Sequence, residues 1–160
     1  TIRDPAGLDA LKEAVKYEAD GQVRCAACLA MGRIRDKDAT PALINALKDK
    51  YWYVRRDAAK ALGRIKDSSA APHLAAVLND MYDEVKRYAK MSLLKMDKGA
   101  AETIFKLYLK NPKDPEYQNY IKSKLNKKDI VEVLRSLIEK EKNEKKRAMF
   151  EAYLQKLTGS

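Results

Sequence analysis

The sequence predicts an all-α fold built from stacked helix pairs, and three observations predict it. Val23-Arg24, Val54-Arg55 and Val85-Lys86 recur 31 residues apart with their surroundings in register. Within each unit the apolar residues are spaced by threes and fours, as on one face of a helix. No stretch alternates apolar and polar residues with period two, as a half-buried strand would. A fixed period of roughly 20 to 50 residues marks an array whose unit is too small to bury its own apolar face and is stabilised by its neighbours.

Residues 23–53 and 54–84 share Val23/Val54, Arg24/Arg55, Ala27/Ala58, Ala30/Ala61, Gly32/Gly63, Arg33/Arg64, Ile34/Ile65, Asp36/Asp67, Pro41/Pro72, Leu43/Leu74 and Leu47/Leu78. The third copy keeps Val85, Ala89, Leu93, Met96, Phe105 and Leu109. It loses the proline and has Leu94 in place of the glycine.

The elements follow in order. Pro5 to Tyr17 forms a helix with Leu8, Leu11 and Val15 inward, paired with the helix that begins at Val23. In VRRDAAKALGRI, Val54, Ala58, Ala61, Leu62 and Ile65 form one apolar stripe. Gly32 and Gly63 lie inside these helices, where a missing side chain lets neighbours approach. Pro41 and Pro72 follow short polar runs, the placement expected in a first helical turn; Leu43 and Leu47 and their copies line the helix that follows. Ala100 to Leu109 comes next, then the Pro112/Pro115 turn. Glu116 to Leu125 carries the stripe Tyr117, Tyr120, Ile121 and Leu125. Ile130, Val131, Leu134, Leu137 and Ile138 define the ninth helix, and Met149, Phe150, Tyr153, Leu154 and Leu157 the tenth. This makes five hairpins, at about 4–34, 40–65, 70–96, 99–125 and 129–157, in one continuous domain over residues 1–160. The two divergent terminal hairpins are expected to act as caps with water-tolerant outer faces.

With these residues in place, the unit resembles the HEAT repeat, in the short variety known as the phycobilisome-lyase HEAT-like repeat, whose pattern is close to V-R-x-x-A-A-x-A-L-G-x-I-x-D-x-x-A-x-P-x-L-x-x-A-L-x-D. Residues 54–84 match almost throughout, 23–53 nearly as well, and 85–109 in outline. The resemblance implies a right-handed α-solenoid, a superhelix of HEAT/armadillo type, with the Val-Arg helices on the concave face that such proteins use for binding. It also implies a ladder in which Arg24, Arg55 and Lys86 pair with the acidic residue ending the preceding helix, here Glu18, Asp49 and Asp80.

The chain carries 33 basic and 23 acidic residues, a net charge of +10 and a pI near 9.5. Such a balance bears on attraction to polyanions and acidic proteins, not on fold. No apolar run of about 18 residues could span a bilayer and no signal-peptide pattern is present. The two cysteines form no disulfide framework, which points to a reducing compartment, and a cytoplasmic location is expected. The chain begins at Thr1 rather than methionine, as an excised or processed piece would.

On the Val-Arg helices, positions away from the apolar stripe form columns across the units: Cys25/Arg56/Arg87, Leu29/Lys60/Met91 and Arg33/Arg64/Lys95. Arg56, Lys60, Arg64, Arg87, Lys90 and Lys95 are the candidates for a partner-binding basic strip, partly neutralised by Asp57 and Glu84 at helical spacing. Tyr51-Trp52-Tyr53, read as a loop triplet, offers Trp52 and Tyr53 as aromatic contacts, either stacking on a ligand or packing on the next unit.

Enzymatic chemistry is not indicated. Cys25-x-x-Cys28 provides two sulfurs where structural zinc takes four ligands, and His73 is the only histidine, on another helix. Neither a nucleophile–base pair nor a glycine-rich phosphate loop is present. Asp57 beside Trp52 is the one faint candidate for an acid in a groove. The expected function is therefore a protein-interaction scaffold that takes an acidic peptide or protein, with no cofactor, metal, membrane or small-molecule substrate. A nucleic-acid-binding protein that grips the phosphate backbone is the alternative, and a bilin lyase or chaperone subunit is a third.

Overall fold

A computed structural model describes residues 5–159; the proposed start of the first hairpin near residue 4 lies outside them. Ten α-helices are present among the described residues, with no strand: α1 (Pro5–Tyr17), α2 (Gly21–Ile34), α3 (Thr40–Ala46), α4 (Trp52–Ile65), α5 (Ala71–Val77), α6 (Asp83–Lys95), α7 (Ala101–Lys110), α8 (Pro115–Lys124), α9 (Lys127–Lys140) and α10 (Glu144–Thr158). They fall into two compact units that divide between Met96 and Asp97.

In the first unit α2, α4 and α6 lie side by side in one layer, and α1, α3 and α5 each pair with the helix that follows them. Small residues set the closeness of the α2/α4/α6 layer. A Cβ at Gly32 would meet Ala61 Cα at 2.8 Å, and one at Gly63 would meet Ser92 Cβ at 2.7 Å and Cα at 2.9 Å. Ser92 Oγ also donates to the Ala59 carbonyl at 2.7 Å, so the α4–α6 contact satisfies its one buried hydroxyl. Val54, Leu62, Leu74, Val85 and Leu93 are fully buried behind this layer.

The connections repeat as well. Arg35 and Lys66, 31 residues apart, end α2 and α4 in the left-handed conformation, with φ of 58° and 60°. Short 3₁₀ turns at Lys37–Ala39 and Ser68–Ala70 follow, opened by Asp36 and Asp67, whose carboxylates accept from the Asp38 and Ser69 amides. These turns were not anticipated; a single 3₁₀ turn has no hydrophobic period to read. The third copy leaves α6 differently, through an extended Met96.

The second unit gathers α7 to α10 around Phe105, Leu134, Leu137 and Phe150, with Tyr108, Leu109, Ile121 and Tyr153 packed against them. Tyr120 donates to the Asp97 carbonyl at 2.8 Å and Lys98 reaches Asp129 at 2.6 Å.

Three expectations change. Val23 is 42% exposed although Val54 and Val85 are fully buried; among the described residues no helix packs on α2 as α2 packs on α4. Met149 is 44% exposed and lies off the α10 core stripe, which Phe150, Tyr153, Leu154 and Leu157 form. The triplet Tyr51-Trp52-Tyr53 is no loop: Tyr51 is the N-cap of α4 and the other two are its first residues.

Candidate interaction surface

Two arginines occupy the ladder, in a register different from the one the resemblance implies. Arg24 Nε donates to Asp49 Oδ2 at 2.7 Å and Arg55 Nε to Asp80 Oδ2 at 2.6 Å; in each pair the second carboxylate oxygen takes Nη2. Each arginine thus reaches forward 25 residues to the loop after the next helix. Backward, it meets only backbone: Nη1 of Arg24 donates to the Glu18 and Ala19 carbonyls, and Nη1 of Arg55 to that of Asp49. The Asp49 carboxylate therefore belongs to Arg24 and not to Arg55, and Glu18 gives Arg24 its carbonyl and not its carboxylate. Lys86 pairs locally with Asp83 at 2.6 Å and not with Asp80; the residue 25 ahead of it, Asn111, carries no charge.

Asp49 and Asp80 also accept the amides of Tyr51 and Tyr82 at 2.9 and 3.0 Å. Arg55 holds the Asp80 carboxyl below its usual range. Burial pushes Asp49 upward, yet its bonds to Arg24 and to the Tyr51 amide outweigh that and leave it lowered.

The aromatic residues line the same edge and spend their faces on each other. Tyr51 stacks on Tyr53 at 5.3 Å and Trp52 on Tyr82 at 5.5 Å. Arg24 lies over Tyr51, Arg55 over Tyr82 and Arg56 over Trp52, at 5.6, 5.8 and 5.3 Å. Gly21 makes room for the first pair, since a Cβ there would sit 2.5 Å from the Tyr53 hydroxyl. Trp52 and Tyr53 act here as cement between repeats of the first unit.

The basic strip divides. Arg56 is committed, its Nε 2.8 Å from Asp57 Oδ1. Asp57 is buried and also accepts from the Cys25 thiol at 2.5 Å, so both its oxygens are used and it is not an acid poised in a groove. Burial and this carboxylate push the Cys25 thiol up to about 11; burial takes Cys28 to about 12. Such thiols are structural. Lys60 and Arg87 both flank Tyr88, at 5.6 and 5.0 Å from its ring centre. Arg87 and Lys95 are exposed, and Arg64 and Lys90 half-buried. Leu29 and the exposed Met91 share the Lys60 column.

A cleft of 740 Å³ opens between α1 and α3, lined by four lysines, Lys12, Lys16, Lys48 and Lys50, and three acidic residues, Glu13, Glu18 and Asp38, besides the paired Arg24 and Asp49. Among the described residues no His, Cys, Asp and Glu side chains gather as a metal site, and no helix is long and apolar enough to cross a membrane.

Paired helices in a 31-residue register, tied by an arginine–aspartate ladder, define a helical-repeat protein. The chain belongs to the HEAT-repeat family, which it matches over residues 3–94. Proteins of this kind generally act as scaffolds for protein interaction. None of the curated proteins matches the sequence. Several solved structures are similar, two of them as follows. One is an engineered protein, 20% identical, with a TM-score of 0.52 over 96% of this chain and 80% of that one. The other is the complex of CpcE and CpcF of phycocyanin lyase from Nostoc sp. PCC7120, 19% identical, with a TM-score of 0.56 over 97% and 84%. At this identity the likeness is one of fold.

Proposed function

We propose that this chain is a non-enzymatic scaffold whose α2/α4/α6 face holds an acidic segment of a partner protein. The observation that carries the reading is Tyr88 with Lys60 and Arg87 both set over its ring, two cations that form no ion pair among the described residues of the unit. Around them the face has three rows: Arg56 and Arg87 on one side, Arg33, Arg64 and Lys95 on the other, and Leu29, Lys60 and Met91 between. That order fits a ligand with apolar side chains along its centre and carboxylates on both flanks.

Adjacent helices are about 10 Å apart, so Leu29 and Met91 stand about 20 Å apart, a distance an extended chain covers in about six residues. Base stacking is poorly served, because Trp52 and Tyr82 already stack on one another. This favours protein over nucleic acid.

Fluorescence anisotropy with a labelled peptide carrying two leucines about six residues apart among glutamates is the direct test. Binding is expected at about 10 µM in low salt, weakened about tenfold by Arg87→Glu or Lys60→Glu. Unchanged affinity in both variants overturns the site. Tighter, steeply salt-dependent binding of random duplex DNA would replace the peptide with a phosphate backbone.

A further inference from the structure

Two helix ends in the first unit adopt a backbone that their own side chains oppose. Arg35 and Lys66 close α2 and α4 with φ of 58° and 60°, a conformation in which a Cβ is crowded and glycine is the usual residue. The chain does use glycine where it ends α10 in the same way, at Gly159 with φ of 74°. In the third copy of the turn the backbone is extended, and the matching residue there is Asp97. A basic side chain thus stands at both left-handed turns and not at the relaxed one.

The helix dipole does not account for this. It favours a cation near a helix C-terminus, but Arg33 and Arg64 already stand in the last turns of α2 and α4, and a cation there needs no left-handed backbone. Arg35 and Lys66 are exposed and form no ion pair among the described residues. The acids beside them, Asp36 and Asp67, each accept the amide two residues on, and Lys37 acts on Asp67 from the preceding repeat. Asp38 is exposed as well.

We infer that Arg35 and Lys66 extend the basic flank of the α2/α4/α6 face beyond the helix ends and take carboxylates of the acidic segment bound there, an inference that rests on that face being the scaffold's binding surface. Each follows an arginine of the flanking row, Arg33 or Arg64, by two residues, so four cations gather at the ends of two adjacent helices. With those helices about 10 Å apart, Arg35 and Lys66 meet carboxylates about three residues apart on an extended segment. Strain kept at a repeated position, where glycine would remove it, marks side chains retained for something other than the fold.

Arg35→Gly, Lys66→Gly and the double variant test this by thermal unfolding and by anisotropy with the labelled peptide of leucines and glutamates. Each single change should raise the unfolding midpoint by about 2–4 °C, since relief of a left-handed side chain outweighs the freedom a glycine adds to the unfolded chain. Each should also weaken the peptide about threefold, and the two together about tenfold. A midpoint that rises with the affinity unchanged overturns the inference. A midpoint that falls does so too, because the side chains would then serve the turn. Glycine variants that weaken the peptide while Lys60→Glu and Arg87→Glu do not would leave the edge standing and remove the Tyr88 site. A wild-type chain that binds no peptide overturns both. Tighter binding of random duplex DNA, lost in the same glycine variants, would assign the edge to a phosphate backbone and overturn the inference.

Discussion

Arg55 binds Asp80, 25 residues ahead, through two parallel N–H···O contacts of 2.6 and 2.9 Å, and the Asp49 carbonyl behind it at 2.8 Å. One guanidinium therefore joins the loop before α4 to the loop before α6, and Arg24 does the same one period earlier. The side chains of the pair are only 14% and 9% exposed, so little solvent screens them.

Loss of one partner leaves the other half-buried without its counter-charge. Asp80→Asn and Arg55→Lys are each expected to destabilise the fold by about 2–3 kcal/mol, measured by urea unfolding. The pH dependence has a definite sign. Asp80 is lowered in the fold, so its contribution is complete above the unfolded value of about 3.9 and fades as pH falls through the folded value. The difference between wild type and Asp80→Asn should therefore shrink below about pH 4. A difference constant from pH 7 to pH 2 would contradict the pairing.

The glycine contacts predict a steric cost with a specific remedy. Gly63→Ala drives a methyl into Ser92 and should cost about 1–3 kcal/mol, where an ordinary helical site would gain from alanine. Removing the obstruction by Ser92→Gly should make the Gly63→Ala change far milder in that background. Equal penalties in both backgrounds would mean that α4 and α6 are not in this close contact.

The thiols predict a kinetic result. With Cys25 near 11 and Cys28 near 12, almost no thiolate exists at pH 8. Alkylation of the native protein should be slower than that of the urea-unfolded chain by about a hundredfold or more. Rapid labelling of the native form would place the cysteines elsewhere.

Asp57 offers a gain-of-binding test. Asp57→Asn removes the carboxylate that neutralises Arg56 and accepts from Cys25. It should lower stability by about 1–2 kcal/mol while tightening the acidic peptide severalfold in the anisotropy assay. Weaker binding by a folded variant would argue that Arg56 contributes only when Asp57 orients it.

The repeat was legible because buried positions recur every 31 residues and every three or four within a helix. Val54, Leu62 and Leu93 are buried where that pattern puts them, and the shared glycines announced the closeness of α2, α4 and α6. The ladder was legible in its members but not in its partners. Asp49 is six residues before Arg55 and 25 after Arg24, and either distance can be bridged once helices pack; only the direction in which α3 returns past α2 selects the second. The aromatic triplet was legible as a cluster, whereas the pairing of Trp52 with Tyr82 and not with a ligand depends on how far the next loop descends.

Composition and period by themselves determined an all-α repeat protein with an excess of basic residues, and the residues of its unit carried the resemblance to the HEAT repeat. They did so because helix periodicity and unit length are local properties that survive without knowledge of neighbours. Tertiary structure alone decided which cations are spent and which face outward. Arg56 is tied to a buried aspartate, Lys60 and Arg87 share one tyrosine, and Val23 is bare while its copies are covered, since each depends on what the adjacent helix brings within a few ångströms.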